Sequence, residues 1–363
     1  MDKNRLHMID GVRGWAAFSV LLFHIFCETF SVLKPEFRSV FTHFIFNGPL
    51  AVTVFFVLSG DALSTGYLKK QKLSSIDSLL LKRYFRLTVP ISLSCLIVYL
   101  LMKAGLMFNL EAAGIVHRED WLGSFIPFQP SIVSLLRYSF YQVYDGHSLA
   151  NSYNPFLWTM SIEFIGSMLV FLFLYVSNRL VSPIKLLISV IVFLFVAKSL
   201  YALFFVGVLF GYLRALDVFT KFLGNKIWQI ATIVIIFALI IIDTQLRFFI
   251  SQGHVNIVIS SALVFCIYSS SLCLSFFSCG ISRVLGKISF PLYLVHFSVI
   301  ASLTSFLIIK FSSSLDSYHI YLISIISIFA SLLGATLFYR VEDYLLSHVN
   351  KIPRILLNSM FKL

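Results

Sequence analysis

A chain of 363 residues that is 59% hydrophobic and only 12% charged carries more apolar surface than a water-soluble globule can hide. With a mean hydropathy of +0.92, its main solvent is lipid. The formal charge of +12 lies in short basic runs between apolar spans, not in one stripe interleaved with aromatics; it reads as membrane orientation and argues against nucleic acid as a partner.

Apolar runs place helices, in chain order, at about 13–33, 49–67, 88–108, 156–177, 184–197, 199–213, 227–243, 255–276, 288–309 and 320–340. The expected fold is all-α, a polytopic transmembrane bundle of about ten helices. The fifth and sixth are short enough for a tilted or re-entrant pair. The alternation of an outer-membrane barrel is absent. With the N-terminus in the cytoplasm, the inner segments hold most of the 28 Lys and Arg, including Lys69 to Arg86, Arg214 and Lys351 to Lys362. That asymmetry puts both termini in the cytoplasm. Lys3 and Arg5 precede the first span as in a secretory leader, but no small-x-small cleavage site follows, so the span is expected to be retained. No linker, low-complexity tract or repeat divides the chain, so 1–363 reads as a single membrane domain. The five cysteines, Cys27, Cys95, Cys266, Cys273 and Cys279, show no ligand spacing and read as small apolar residues.

An ionisable group inside a span costs on the order of 3 kcal/mol, so each one needs a reason. His24 follows Arg13 by eleven residues, about 1100° of helix and a rise of about 16 Å, which puts both on one face but out of contact. A lone histidine in a helix is more often packed against a partner than catalytic, so His24 by position alone carries both readings, the packed one ahead. Glu163, in the fourth helix, is expected at a comparable depth, where its carboxylate could hold the His24 tautomer or bond a neighbouring helix. Glu28, one turn beyond His24, is a competing partner. Tyr293 and His296 are three apart, share a face, and are expected to line the same cavity as His24.

Ser59, Gly60 and Asp61 interrupt the apolar run of the second helix. A tight helix crossing and substrate contact both account for them. The densest basic segment ends in Arg83-Tyr84-Phe85-Arg86. Two arginines at this spacing present one face suited to a phosphate, or to topology anchoring and anionic lipid. The outer segment 109–155 carries Glu111, His117, Arg118, Glu119, Asp120, Trp121, Asp145 and His147; it is either a surface for a polar acceptor or a solvated cap.

Taken in order, Asp10-Gly11-Val12-Arg13-Gly14 with His24, Phe55-Phe56-Val57-Leu58-Ser59-Gly60, Arg83-x-x-Arg86, Trp158-x-x-Ser161-x-Glu163 and Gly286-x-x-Ser289-x-x-x-Tyr293-Leu294-x-His296 resemble acyltransferase family 3. Its members are integral membrane enzymes that modify extracytoplasmic sugars. The resemblance implies acetyl-CoA or another acyl-CoA as cytoplasmic donor and no metal. It implies a glycan or lipid-linked glycan hydroxyl as acceptor, such as O-antigen, lipopolysaccharide or exopolysaccharide, and a bacterial plasma membrane as host. Arg13 and His24 are required by resemblance; the mechanism expected from the residues has His24 as general base or as a covalent acyl carrier, with Glu163 steadying it. Arg83 and Arg86 would hold the CoA phosphates, assisted by Arg13. Tyr293, His296 and Ser161 are candidate oxyanion donors, and Trp158 and Ser59 candidate substrate contacts.

Three departures bear on acceptor choice rather than reaction class. Asp61 stands where the family often has an apolar or aromatic residue, Phe290-Pro291 replaces Tyr-Ser, and Arg340-Val341-Glu342-Asp343 lacks a proline. A stand-alone membrane domain is expected. The rival from another class is a secondary transporter or flippase with a His/Glu proton relay, which inverted repeats would support; none is apparent.

Overall fold

The computed structural model describes residues 3–146, 148–246 and 252–349. His147, Arg247 and the C-terminal basic residues Lys351, Arg354 and Lys362 lie outside them. Among the described residues all regular structure is helical. Seven helices are long and apolar enough to cross a membrane, an eighth is a bent pair, and two shorter apolar helices span Pro183–Val196 and Tyr201–Ala215. Each of the ten expected spans has its counterpart among them.

Two compact units emerge. The first takes in the chain through Ala16, Pro49–Arg83 and Ile162–Lys287; the second takes in Ala17–Gly48, Tyr84–Ser161 and the chain from Ile288. The main helices are α1 (Lys3–Leu22), α2 (Gly48–Lys70), α3 (Leu73–Lys103), α4 (Asn109–Val116), α5 (Thr159–Ser177), α6 (Pro183–Val196), α7 (Tyr201–Ala215), α8 (Lys226–Leu246), α9 (Gln252–Ser269), α10 (Ser271–Phe277), α11 (Gly280–Lys287), α12 (Ser289–Val299) and α13 (Ser317–Val349).

In the first unit α2 runs through Ser59-Gly60-Asp61 without a break. Gly60 marks a crossing: a Cβ there would fall 1.9 Å from the carbonyl oxygen of Phe204, and one on Gly207 of α7 would fall 2.0 Å from that of Val57. Lipid gives helices no hydrophobic reason to associate, so such backbone-to-backbone contact supplies much of what holds α2 on α7. Phe56 and Phe204 stack beside it, their centroids 5.2 Å apart. Gly60→Ala is therefore expected to destabilise the protein by about 1–3 kcal/mol or more, as overpacking does. A lower melting temperature in detergent would register this, and an unchanged one would contradict the crossing. The motif glycines of α1 serve the same end. A Cβ on Gly11 would meet the Phe277 carbonyl at 1.9 Å, and one on Gly14 the Gly286 nitrogen at 2.4 Å.

The expected span 255–276 is broken. α9 and α10 meet at 90° about Ser270, whose hydroxyl caps the amide of Cys273 at 3.3 Å. A break in lipid exposes donors that must be met from within the protein. Gln229 of α8 does this: its Oε1 accepts from the Ser270 hydroxyl (3.0 Å), the Ser271 amide (2.7 Å) and the Ser271 hydroxyl (3.0 Å).

α3 starts at Leu73 instead of near 88, because Leu79, Leu80, Leu81, Lys82, Arg83 and Arg86 are good helix formers, and the charge of the last three hides the segment from a hydropathy reading. In the second unit α1 passes into a π-helical turn, Phe23–Thr29. The outer segment is folded: α4 anchors it through the buried Asn109, whose amide donates to the carbonyls of Leu122 (3.1 Å) and Phe125 (3.0 Å). α12 packs along α13. Large apolar side chains such as Ile227, Ile230, Phe329 and Leu333 stay exposed, as lipid contact requires.

Candidate active site

His24 lies in the π-helical turn, a departure from α-helix that recurs at functional sites. Within that turn the Thr29 hydroxyl donates to the His24 carbonyl at 2.8 Å. The half-buried imidazole stacks on Phe156 (centroids 4.0 Å apart, 23°) and lies nearly parallel to His296 (5.2 Å, 10°). Its Nδ1 is 3.0 Å from Nε2 of His296. His296 is buried, and its own Nδ1 is 2.8 Å from the carbonyl oxygen of Leu292.

For two neutral rings, these contacts assign the proton positions. A carbonyl oxygen can only accept, so His296 Nδ1 carries a hydrogen, and the neutral ring then has a lone pair on Nε2. That lone pair accepts from His24 Nδ1–H, which leaves the lone pair of His24 on Nε2. Among the described residues no hydrogen-bond partner falls on that atom.

Phe156 is held from several sides. Asn154 caps its turn, accepting from the Phe156 amide at 3.2 Å and donating to Ser94 Oγ (3.1 Å) and the Leu294 carbonyl (3.0 Å). Tyr293 donates its hydroxyl hydrogen to the Phe156 carbonyl and lies 2.8 Å from Thr159 Oγ1. Trp121, half-buried, comes within 5.8 Å of the His24 ring and 6.0 Å of Phe156. Beneath it, Arg118 is 4% exposed, 5.5 Å from the indole, and donates to Glu28 Oε2 (2.8 Å), the Glu28 carbonyl and Asp120 Oδ1 (3.0 Å). The Arg118 hydrogen bond holds the Asp120 carboxyl below its usual range.

The expected partner of His24 was Glu163; its ring partner is His296. Glu163 forms an ion pair with Arg83, whose Nε also donates to Ser167 at 2.9 Å. Sequence spacing set a depth for Glu163 but not the side of α5 it occupies. Glu28, the other competitor, is taken by Arg118 and by Arg38 at 3.8 Å. Of the oxyanion candidates, His296 and Tyr293 donate to backbone carbonyls as above, and Ser161 donates to the Trp158 carbonyl at 3.3 Å. Trp158 itself is exposed. Arg86 is exposed, its charge acting on Glu342. In the first unit Arg13 Nη2 reaches Ser59 Oγ at 3.5 Å.

Arg83 and Glu163 are mostly buried, at 17% and 13% side-chain exposure, so removing one strands the other. Glu163→Ala should cost about 3–5 kcal/mol, while pairing it with Arg83→Gln recovers part of that loss. Thermal melts of the three variants in detergent check this; additive losses would contradict it.

Sequence reasoning named His24 and His296 but not their bond, and it overlooked Phe156 and the Arg118–Trp121 pair. The signals were present in Asn154-Pro155-Phe156, a capped turn beside an aromatic, and in His117-Arg118-Glu119-Asp120-Trp121. Among the described residues no three His, Cys, Asp or Glu side chains gather as a metal-ligand set.

The family model described as an acyltransferase domain, that of acyltransferase family 3, matches residues 6–340. No curated protein and no solved structure matches the chain.

Proposed function

Because the chain belongs to acyltransferase family 3, it is a multi-pass membrane acyltransferase, and we propose that it moves an acetyl group from acetyl-CoA to a glycan hydroxyl with His24 as general base. The observation that carries this reading is the relay from Leu292 through His296 to His24, which leaves a bare lone pair on His24 Nε2.

In the proposed step, His24 Nε2 takes the proton of an acceptor hydroxyl as its oxygen attacks the thioester carbonyl. The tetrahedral intermediate collapses, the carbon–sulfur bond breaks, and the CoA sulfur takes the proton from the imidazolium. Throughout, His24 Nδ1–H stays on His296, which fixes the tautomer and spreads the transient charge, the orienting role a carboxylate plays in other histidine-based sites. Phe156 and Trp121 give the imidazole apolar walls. Tyr293 acts by holding the Phe156 turn.

Arg13, on the same helical stretch as His24 and eleven residues before it, is the guanidinium we assign to donor phosphates. The exposed Arg86 keeps that role for its pair, whereas Arg83 serves the helix carrying Glu163. The donor enters from the cytoplasm and the acceptor is a surface or lipid-linked glycan of the bacterial inner membrane.

NMR of the surface glycan from cells with and without the protein tests this. Base-labile O-acetyl signals that appear with the wild type and vanish with His24→Gln support it. Identical glycans, together with dissipation of a solute gradient by the purified protein, would replace it with a transporter.

A further inference from the structure

From its contacts along α3 we infer that the second half of the outer segment, residues 131–146 and 148–154, is a hairpin that re-enters the membrane from the outer side, its apolar face covered by the acyl chains of the bilayer.

The segment descends as a short helix, Ile132–Arg137, continued by a π-helical turn, Tyr138–Gln142. It reverses near Gly146, whose φ of +121° suits glycine, and returns through Ser152, Tyr153 and Asn154, all buried. Four side chains of α3 meet it at successive levels. Tyr99 lies against Tyr153, their ring centroids 6.5 Å apart. Ser94 Oγ accepts from the Asn154 amide at 3.1 Å, and Thr88 Oγ1 is 2.9 Å from the Tyr144 hydroxyl. Tyr84 donates its hydroxyl hydrogen to the Phe140 carbonyl at 2.8 Å. α3 is one of the helices long and apolar enough to cross a membrane. Its stretch from Tyr99 back to Tyr84 covers about 22 Å at 1.5 Å per residue, against a hydrocarbon core of about 30 Å. A cap resting on the outer surface cannot follow a spanning helix over that depth.

The two sides of the hairpin suit this placement. Lipid offers the backbone no hydrogen-bond partner, so irregular chain at depth must be met from within the protein. Tyr84 does this for the Phe140 carbonyl, and the Tyr138 hydroxyl lies 2.7 Å from Ser152 Oγ and 3.3 Å from the Asn154 carbonyl oxygen. At the top, Ser131 Oγ accepts from the Ser134 amide at 3.1 Å. The outward side is the opposite in character. Ile132, Val133, Leu136, Phe140 and Tyr141 recur at helical spacing and are all exposed, while Leu135, Tyr138 and Ser139 are buried. In water such a stripe is a large apolar patch; in lipid it is a matched surface. The exposed Arg137, at the edge of the stripe and about 9 Å below Ser131 by helical rise, is long enough for its guanidinium to reach back toward the outer polar layer. The return limb ends in Asn154-Pro155-Phe156, so the hairpin is what carries Phe156 down to the ring of His24.

The test is nitroxide labelling of single cysteines in the full-length protein, with Cys273→Ser and Cys279→Ser as background, in nanodiscs of phosphatidylcholine and phosphatidylglycerol. Labels go at Ile132, Leu136 and Phe140, with Leu333 of α13 as a lipid-facing reference and Glu111 of α4 as a water-facing one, both exposed. Collision with oxygen against collision with a water-soluble nickel chelate is read at each. The expected result is an oxygen-to-nickel ratio that rises from Ile132 to Leu136, where it matches Leu333, and that stays well above Glu111 at Phe140.

Ratios like that of Glu111 would mean a solvated cap and overturn the inference. A flat, intermediate ratio from Ile132 through Phe140 would lay the helix along the membrane surface and overturn it too. Exclusion of both relaxants would mean that protein covers the face, a second copy of the chain where label-to-label broadening accompanies it, and the lipid assignment would be wrong. Should a label at Phe140 prevent folding, the exposed Val133 and Leu136 decide by the same criteria.

Discussion

His24→Gln is expected to lower kcat about 10²–10⁴-fold, the range a positioned general base supplies, with little change in donor affinity. The side chains that meet its Nδ1 and its ring face come from separate parts of the chain, His296 from α12 and Phe156 from the turn before α5. Glutamine is close in length to histidine and its amide can still donate toward His296, so insertion and packing should survive. What it lacks is a basic nitrogen where Nε2 stood. Radiolabel transfer by variant and wild type in matched amounts reads the effect, and normal chromatographic behaviour of the variant rules out simple misfolding as its cause.

His296→Ala is expected to have the next largest effect, about 10²-fold or more in kcat. Removing His296 frees the His24 ring to take either tautomer, so the lone pair no longer sits on one known atom. It also opens a cavity under Phe156, so stability should fall as well. A packing role and an orienting role separate on rescue. His296→Gln offers Oε1 to accept from His24 Nδ1–H, and it should recover kcat well above the alanine variant and restore the wild-type pH profile of kcat/KM. Equal activity of the two variants would leave His296 with a packing role alone.

Much of the fold was legible because lipid imposes one demand over and over: long apolar helices. The ten spans follow from that, and Gly60 announced a close approach that Phe204 then occupies. The break at Ser270 was not legible, because Ser269-Ser270-Ser271 lowers hydropathy too little to register and the residue that makes the break tolerable, Gln229, is on another helix.

The candidate site divides the same way. Burying a histidine in a span is costly enough to flag His24, but its partner depends on how helices turn about their axes. Glu163 turns toward Arg83 instead, and the clamp foreseen from Arg83-x-x-Arg86 is correspondingly split. The π-helical turn that begins at Phe23 also changes the angular step just before His24, so a count at 100° per residue from Arg13 holds only through Leu22. Arg214 reads in the sequence as one more inner basic residue, because the Asp61 it pairs with is on another helix.

One measurement bears most directly on His24 as the base: single-turnover transfer from labelled acetyl-CoA to purified lipid-linked glycan by protein in proteoliposomes, wild type against His24→Gln. The expected result is base-labile label on the glycan with wild type and none above background with the variant. Label on the glycan at the wild-type rate with His24→Gln would contradict it.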